Sequence, residues 1–323
     1  MAEPEIATKA PESDATEKPK STEPKTAEET LGMGEHCVTD QPTPSGAVPT
    51  GEISKIADID VYITKPSDYP HSPSKLLLFL SSGTGIHSTN NQLQADHYAS
   101  EGFLVVMPDQ FGGDPAPNSS DPSNVLPDMA SSVIEQVKLR AAETVQSFMI
   151  DMWLARQTPE KVMPILRKVV DGAKEEFADA VASGGGIYAV GYCFGGKYVL
   201  LLGSELPDGA VQPQKDVEQG MVKNEPLIKA GALAHGTMIT QQDLQTLKSP
   251  VSMVCVENDQ LFPNEVREFG EKYLAEKQIE HEVKIYPCVP HGFAVVGEYP
   301  SNPKIQEAQE EAFQQMVAWL KAH

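Results

Sequence analysis

Cysteine is scarce in this chain. Four thiols, Cys37, Cys193, Cys255 and Cys288, are spread over 323 residues, and no two form a CxxC pair. That spacing excludes a disulfide framework or a paired-ligand zinc site as the organising feature, and a reducing compartment follows as the expectation. Long apolar runs are missing as well: no stretch approaches the roughly 18 residues of a membrane-spanning helix. Residues 1–30 lack the apolar core of a secretory signal and hold too many acids for a transit peptide. Basic residues are in the minority, with 25 Lys and Arg against 46 Asp and Glu and a net charge of −21. A surface so acidic repels phosphate, which argues against nucleic acid or an anionic membrane as a general partner. The expected location is the cytoplasm, with the nucleus left open.

Aromatic residues are absent from the first 30 positions, a stretch rich in Pro, Glu, Lys, Thr and Ala. It cannot bury enough apolar surface to offset chain entropy, so residues 1–30 read as a disordered tail. The remainder, 31–323, reads as one large domain. With 40% hydrophobic residues the chain can build a substantial core.

Short apolar runs alternate with helical stretches through that domain. "ISKIADIDVYITKP" reads as an early strand or hairpin, and "KLLLFLSS" as a strand covered on both faces. "NNQLQADHYASEG" reads as a helix stopped at Gly102, and "FLVVMPDQFGGD" as a strand cut by Pro108. A helical insert spans about 131–182, broken into pieces by Pro159 and Pro164. Strand-like segments follow at "GIYAVGYC", "KAGALAHGT", "PVSMVCVEND" and "HEVKIYPCV", and a terminal helix closes the chain. A polar loop lies near 205–229. The alternation predicts an α/β fold, a mainly parallel sheet with helices on both faces.

One junction carries chemistry. Gly191-Tyr192-Cys193-Phe194-Gly195 fits G-x-nucleophile-x-G between a strand and a helix, the nucleophile elbow of the α/β-hydrolase architecture with Cys in place of Ser. Glycines flank the thiol because the turn is strained and brings strand and helix close together. The helix N-terminus behind the sulfur favours its anionic form and offers N–H groups to a developing oxyanion.

A thiol nucleophile needs a base, and the base needs an orienting carboxylate. In this architecture both follow the nucleophile, acid first and histidine last. Asp259 stands just after the apolar "PVSMVCV" and His291 after "HEVKIYPCVP". Glu257 is a rival for the acid. His235, after "AGALA", arrives too early for the base and reads as a pocket-wall or hydrogen-bonded histidine. His87 borders the same region without an assigned role. Cys255 and Cys288 read as small core residues. The oxyanion donors are expected to be the N–H of Phe194 and that of Gly83, with Ser82 and Thr84 as near alternatives.

"GYCFGG", "VPHGF" and "ASEGFLVVMPDQF" together resemble the dienelactone hydrolase family over about residues 50–320, with the helical insert closer to fungal and other eukaryotic members. The resemblance implies an α/β-hydrolase fold, a Cys193–His291–Asp259 triad, no cofactor, and a small ester or lactone as substrate. Two departures stand out. Bacterial members carry a glutamate after the strand matching "LLLFL", where this chain has Ser81 and Ser82. They also carry an arginine after the histidine loop, where this chain reads Ala294-Val295-Val296. With no such clamp for a carboxylate, a neutral ester or lactone is expected. Two other readings stay open at this level: a ligand-binding protein on a hydrolase scaffold, and a redox sensor using Cys193.

Overall fold

The computed structural model describes residues 39–117, 149–205 and 225–323. The expected tail, Cys37, part of the helical insert and most of the polar loop lie outside the described residues.

Lys75–Leu80 shows how the apolar runs become a two-faced sheet. Leu76, Leu78 and Leu80 enter one buried cluster, while Leu77 and Phe79 enter another. This is the alternation of a strand with no solvent-facing side. The described strands in chain order are β1 (Glu52–Ile56), β2 (Ile59–Thr64), β3 (Lys75–Leu80), β4 (Phe103–Pro108), β5 (Ile187–Tyr192), β6 (Ala230–Ala234), β7 (Val251–Val256) and β8 (His281–Tyr286). They form one sheet in the order β1-β2-β4-β3-β5-β6-β7-β8. β1 and β2 are a hairpin whose turn residues Ala57 and Asp58 have φ of 48° and 66°, the left-handed pair that matches strand twist. β2 also runs antiparallel to β4, and every pairing from β4 through β8 is parallel.

The helices are α1 (Thr89–Ser100), α2 (Pro159–Glu176), α3 (Ala178–Gly184), α4 (Phe194–Leu202), α5 (Gln241–Thr246), α6 (Asn264–Glu276) and α7 (Pro303–Ala322), with a further helical stretch at 149–156. α1 and α7 cover one face through Ala95, Tyr98, Phe313 and Met316. α2 and α4 cover the other through Leu166, Val169, Val170 and Val199. Ser88 caps α1, its Oγ accepting from the Asn91 N–H at 3.1 Å, and the chain leaves the helix through Gly102 at φ 97°.

The helical insert differs from expectation at one proline. Pro159 begins α2, where its missing N–H costs nothing, but Pro164 lies inside the same helix and does not break it. The buried stripe of Val162, Met163, Leu166, Val169 and Val170 holds the helix through that point. The break comes instead at Phe177, between α2 and α3.

Strand order decides where a site can form. From β3 the chain moves to β4 on one side and returns to β5 on the other. The loops leaving β3 and β5 therefore diverge, opening a crevice beyond the carboxyl ends of those two strands.

Candidate active site

Cys193 occupies the turn between β5 and α4 with φ 50° and ψ −112°, a conformation rare outside glycine. The flanking glycines are obligatory at these positions. A Cβ on Gly191 would stand 2.5 Å from the Gly195 carbonyl oxygen, and one on Gly195 would overlap the backbone of Leu80. The turn is tied on both sides. The Cys193 N–H donates to Ala234 O at 3.1 Å, and its carbonyl accepts from Gly196 and Thr237 N–H groups at 3.0 and 3.1 Å. Behind the thiol, Phe194 stacks obliquely on Phe111, Trp153 and Tyr198 with ring centroids 5.1–5.4 Å apart. Trp153 comes from the helical stretch 149–156, so the insert packs against the elbow.

Asp259 and His291 meet beside this turn. Asp259 follows β7, and its Oδ1 accepts from the Leu261 N–H at 2.9 Å, which fixes the carboxylate. His291 Nδ1 stands 2.7 Å from Asp259 Oδ2. A carboxylate can only accept, so Nδ1 carries the hydrogen and Nε2 is left for the sulfur. Burial disfavours a charged ring here. Hydrogen bonding to Asp259 and Cys193, with their negative charge, outweighs it and raises the imidazole to about 9. Glu257 is exposed on the strand end, as is His87 on its loop, and neither belongs to the cluster.

His235 was expected as a pocket wall or a hydrogen-bonded histidine. It is fully buried, its ring edge-on to that of His291 at 5.0 Å, and neither of its nitrogens has a partner. Among the other thiols, Cys255 is a core residue of β7 whose burial pushes it up to about 12. Cys288 is exposed, contrary to expectation: β8 ends at Tyr286, and the chain turns outward with Cys288 at φ 57°.

The loop after β3 forms the facing wall. Ser82 Oγ donates to Asn91 Oδ1 at 3.2 Å, and Asn91 Nδ2 donates to Thr84 Oγ1 and to Gly85 O at 3.0 and 2.9 Å. Gly83 lies within this braced turn, its carbonyl accepting from the Ala116 N–H at 2.9 Å. Phe194 is the first residue of α4, so both expected N–H donors border the crevice between β3 and β5.

A segment to which sequence reading assigned no role completes the site. Thr39, Asp40 and Gln41 roof a cavity of about 10 Å³ whose other walls are Ser82, Cys193, His235, Gly292, Val295 and Val296. Asp40 accepts from Thr84 Oγ1 at 2.9 Å and from Ser88 Oγ at 2.6 Å. Burial raises its carboxyl above the usual range, against the pull of those two hydroxyls. Asn90 Nδ2 donates to Gln41 O at 2.7 Å, and the Glu298 N–H donates to Pro42 O at 2.9 Å. No local pattern marks Asp40, because its partners lie more than forty residues away. Among the described residues its lining holds no lysine or arginine, and valines 295 and 296 stand where an arginine was noted missing.

A thiol on a strained strand–helix turn beside an Asp–His pair, over a doubly covered parallel sheet, matches the nucleophile-elbow pattern of the α/β-hydrolase fold. The dienelactone hydrolase family model matches residues 59–212 and 217–323, and the chain belongs to that family. It is 32% identical to hydrolase pyvD of Aspergillus violaceofuscus over 273 residues, 84% of this chain and 90% of that one. It is 28% identical to dienlactone hydrolase 1 of Gibberella moniliformis, covering 84% and 87% of the two chains. Among solved structures, a Klebsiella pneumoniae protein assigned as a dienelactone hydrolase superposes with a TM-score of 0.60 at 16% identity, covering 85% of this chain and 99% of that one. Thermogutta terrifontis esterase 2 gives 0.56 at 16%, covering 84% and 96%. Among the described residues no helix is long and apolar enough to cross a membrane.

Proposed function

We propose that the chain hydrolyses a small, uncharged ester or lactone through a thioester on Cys193. The observation that carries this reading is the 2.7 Å contact between His291 Nδ1 and Asp259 Oδ2, which leaves Nε2 free to act as base. In the first step His291 takes the proton of Cys193 and the sulfur attacks the ester carbonyl. The tetrahedral oxygen is held by the N–H of Phe194 and, from the β3 loop, that of Gly83. Loss of one such donor costs about 10²–10³ in rate. Collapse expels the alcohol, protonated by His291, and leaves the acyl group on sulfur. Water, deprotonated by His291, then releases the acid and restores the thiol.

An uncharged substrate follows from the lining. Among the described residues the lining, with the Asp40 carboxylate and two valines and no lysine or arginine, holds no fixed cation to pair with a substrate carboxylate.

The test is rapid-mixing hydrolysis of p-nitrophenyl acetate with mass analysis of the quenched enzyme. The expected result is an acetyl adduct on the Cys193 peptide and no turnover above background in Cys193→Ala. Undiminished turnover by Cys193→Ala overturns the proposal, and a protein that binds esters without releasing nitrophenol is a binding protein instead.

A further inference from the structure

His235 presents a problem of hydrogen-bond accounting. A neutral imidazole carries one donor and one acceptor, and burying both without partners is costly. Yet the residue is 0% exposed and both ring nitrogens lack partners within the protein. It cannot relieve this by swinging outward. Tyr192, His291 and Phe293 enclose the ring at centroid distances of 5.9, 5.0 and 6.0 Å, and the residue's own N–H is tied to Val254 O at 2.8 Å. The backbone at His235 has φ 38°, in the left-handed region. Burial, with the neighbouring His291 adding to it, holds the imidazole well below its ordinary value, so the ring stays neutral.

His235 and Cys193 both line the same cavity. At about 10 Å³ that space matches one water molecule. Two other polar side chains around it are engaged, Asp40 with Thr84 and Ser88, and Ser82 with Asn91. His235, fully buried, has both a donor and an acceptor without a protein partner.

We propose that His235 is a positioning residue that holds the hydrolytic water beside the Cys193 thioester. The inference rests on the thioester reading above and adds to it. One O–H of the water donates to the acceptor nitrogen of His235, the other to His291 Nε2, which leaves an oxygen lone pair aimed at the acyl carbon. His291 takes that proton as the new C–O bond forms. The C–S bond then breaks, the sulfur recovers the proton, and the carboxylic acid leaves. Before acylation no water has to be aimed, so His235 acts on the second half of the reaction.

That asymmetry supplies the test. Pre-steady-state hydrolysis of p-nitrophenyl acetate is compared for wild type, His235→Phe and His235→Asn. Phenylalanine fills the ring's slot among Tyr192, His291 and Phe293 without a nitrogen. Asparagine tolerates positive φ and restores one donor and one acceptor. In His235→Phe, deacylation is expected to fall by about 10²-fold, at least tenfold more than acylation, with the acetyl-Cys193 adduct accumulating at steady state. His235→Asn recovers much of the deacylation rate, and hydroxylamine, which brings its own nucleophile, restores turnover to the Phe variant. His235→Leu is a second nitrogen-free variant, read in the same way should the first fail to fold. Acylation and deacylation falling in proportion, or deacylation within twofold of wild type, overturns the role of His235 and leaves the thioester standing. Wild-type turnover by Cys193→Ala overturns the thioester, and this inference with it.

Discussion

Gly195, in the first turn of α4, lies against the backbone of Leu80 at the end of β3 so closely that any Cβ would overlap it. This contact seats the elbow helix on the central strand and brings the loop that carries Gly83 to the N-terminus of the helix that carries Phe194. The obstacle is backbone at both partners, so neither can yield by changing a rotamer. Gly195→Ala is expected to destabilise the fold by about 2–3 kcal/mol and to lower Tm by several degrees, read by thermal unfolding. An unchanged Tm would mean that helix and strand can separate freely, contrary to this account of the turn.

Asp259 is expected to act on His291 by fixing its tautomer. Asp259→Asn can present an amide N–H to Nδ1, forcing the hydrogen to Nε2, where it can no longer accept from the sulfur. Steady-state ester turnover is expected to drop by about 10³–10⁴ with the fold intact by circular dichroism. Glu257→Gln, at an exposed position outside the cluster, should leave the rate within twofold. The reverse ranking would transfer the acid's role to Glu257.

Stability should fall on the alkaline side because of the same pair. The imidazole of His291 is raised to about 9, above its value of about 6.5 in an unfolded chain. Its contribution is therefore complete below about pH 6.5 and is lost as pH rises through about 9, the unfolded chain having released its proton earlier. Unfolding free energies from urea titrations at pH 6.5 and 9.5 should differ by roughly 1–3 kcal/mol, with much of the slope absent in Asp259→Asn. A flat profile in the wild type would rule out the coupling.

The three thiols of the described residues should sort by environment under iodoacetamide. Cys288, exposed, labels first and without loss of activity. Cys255, buried and pushed up to about 12, stays unmodified in the native protein. Cys193 labels in step with inactivation, through a site roofed by residues 39–41. Asp40→Ala removes both hydroxyl contacts that pin the roof and should speed Cys193 alkylation by about tenfold, corresponding to one charge-assisted hydrogen bond. Peptide mapping against residual activity gives the answer, and labelling of Cys255 ahead of Cys193 would contradict it.

Lys197 on α4 and Asp243 on α5 form an ion pair at 2.6 Å with only 12% and 10% of their side chains exposed. Asp243 also closes the capping box with Thr240. Asp243→Ala strands a buried ammonium and is expected to cost about 3–5 kcal/mol, whereas Lys197→Met with Asp243→Leu should recover most of it. Equal destabilisation by the single and double variants in urea unfolding would show that the pair's charges do not matter.

The amino-acid sequence determined the strands, the elbow and the order of the reactive residues, because each is written in local chemistry. Continuous apolar runs such as "KLLLFL" can only be buried on both faces, and two glycines around a cysteine admit a turn that other residues cannot enter. The acid and histidine follow their strands in the order the sheet imposes. What tertiary structure alone decided are the relations between distant segments. Asp259 rather than Glu257 pairs with His291 because the turn after β7 aims one carboxylate inward and leaves the other in solvent. Pro164 stays helical because a buried stripe outweighs one lost hydrogen bond. Asp40 reaches the cavity, and His235 is buried without partners, only because the packed chain brings Thr84, Ser88, Tyr192 and Phe293 around them. No periodicity records such contacts, since the free energy that makes them comes from burial shared among residues far apart in the chain.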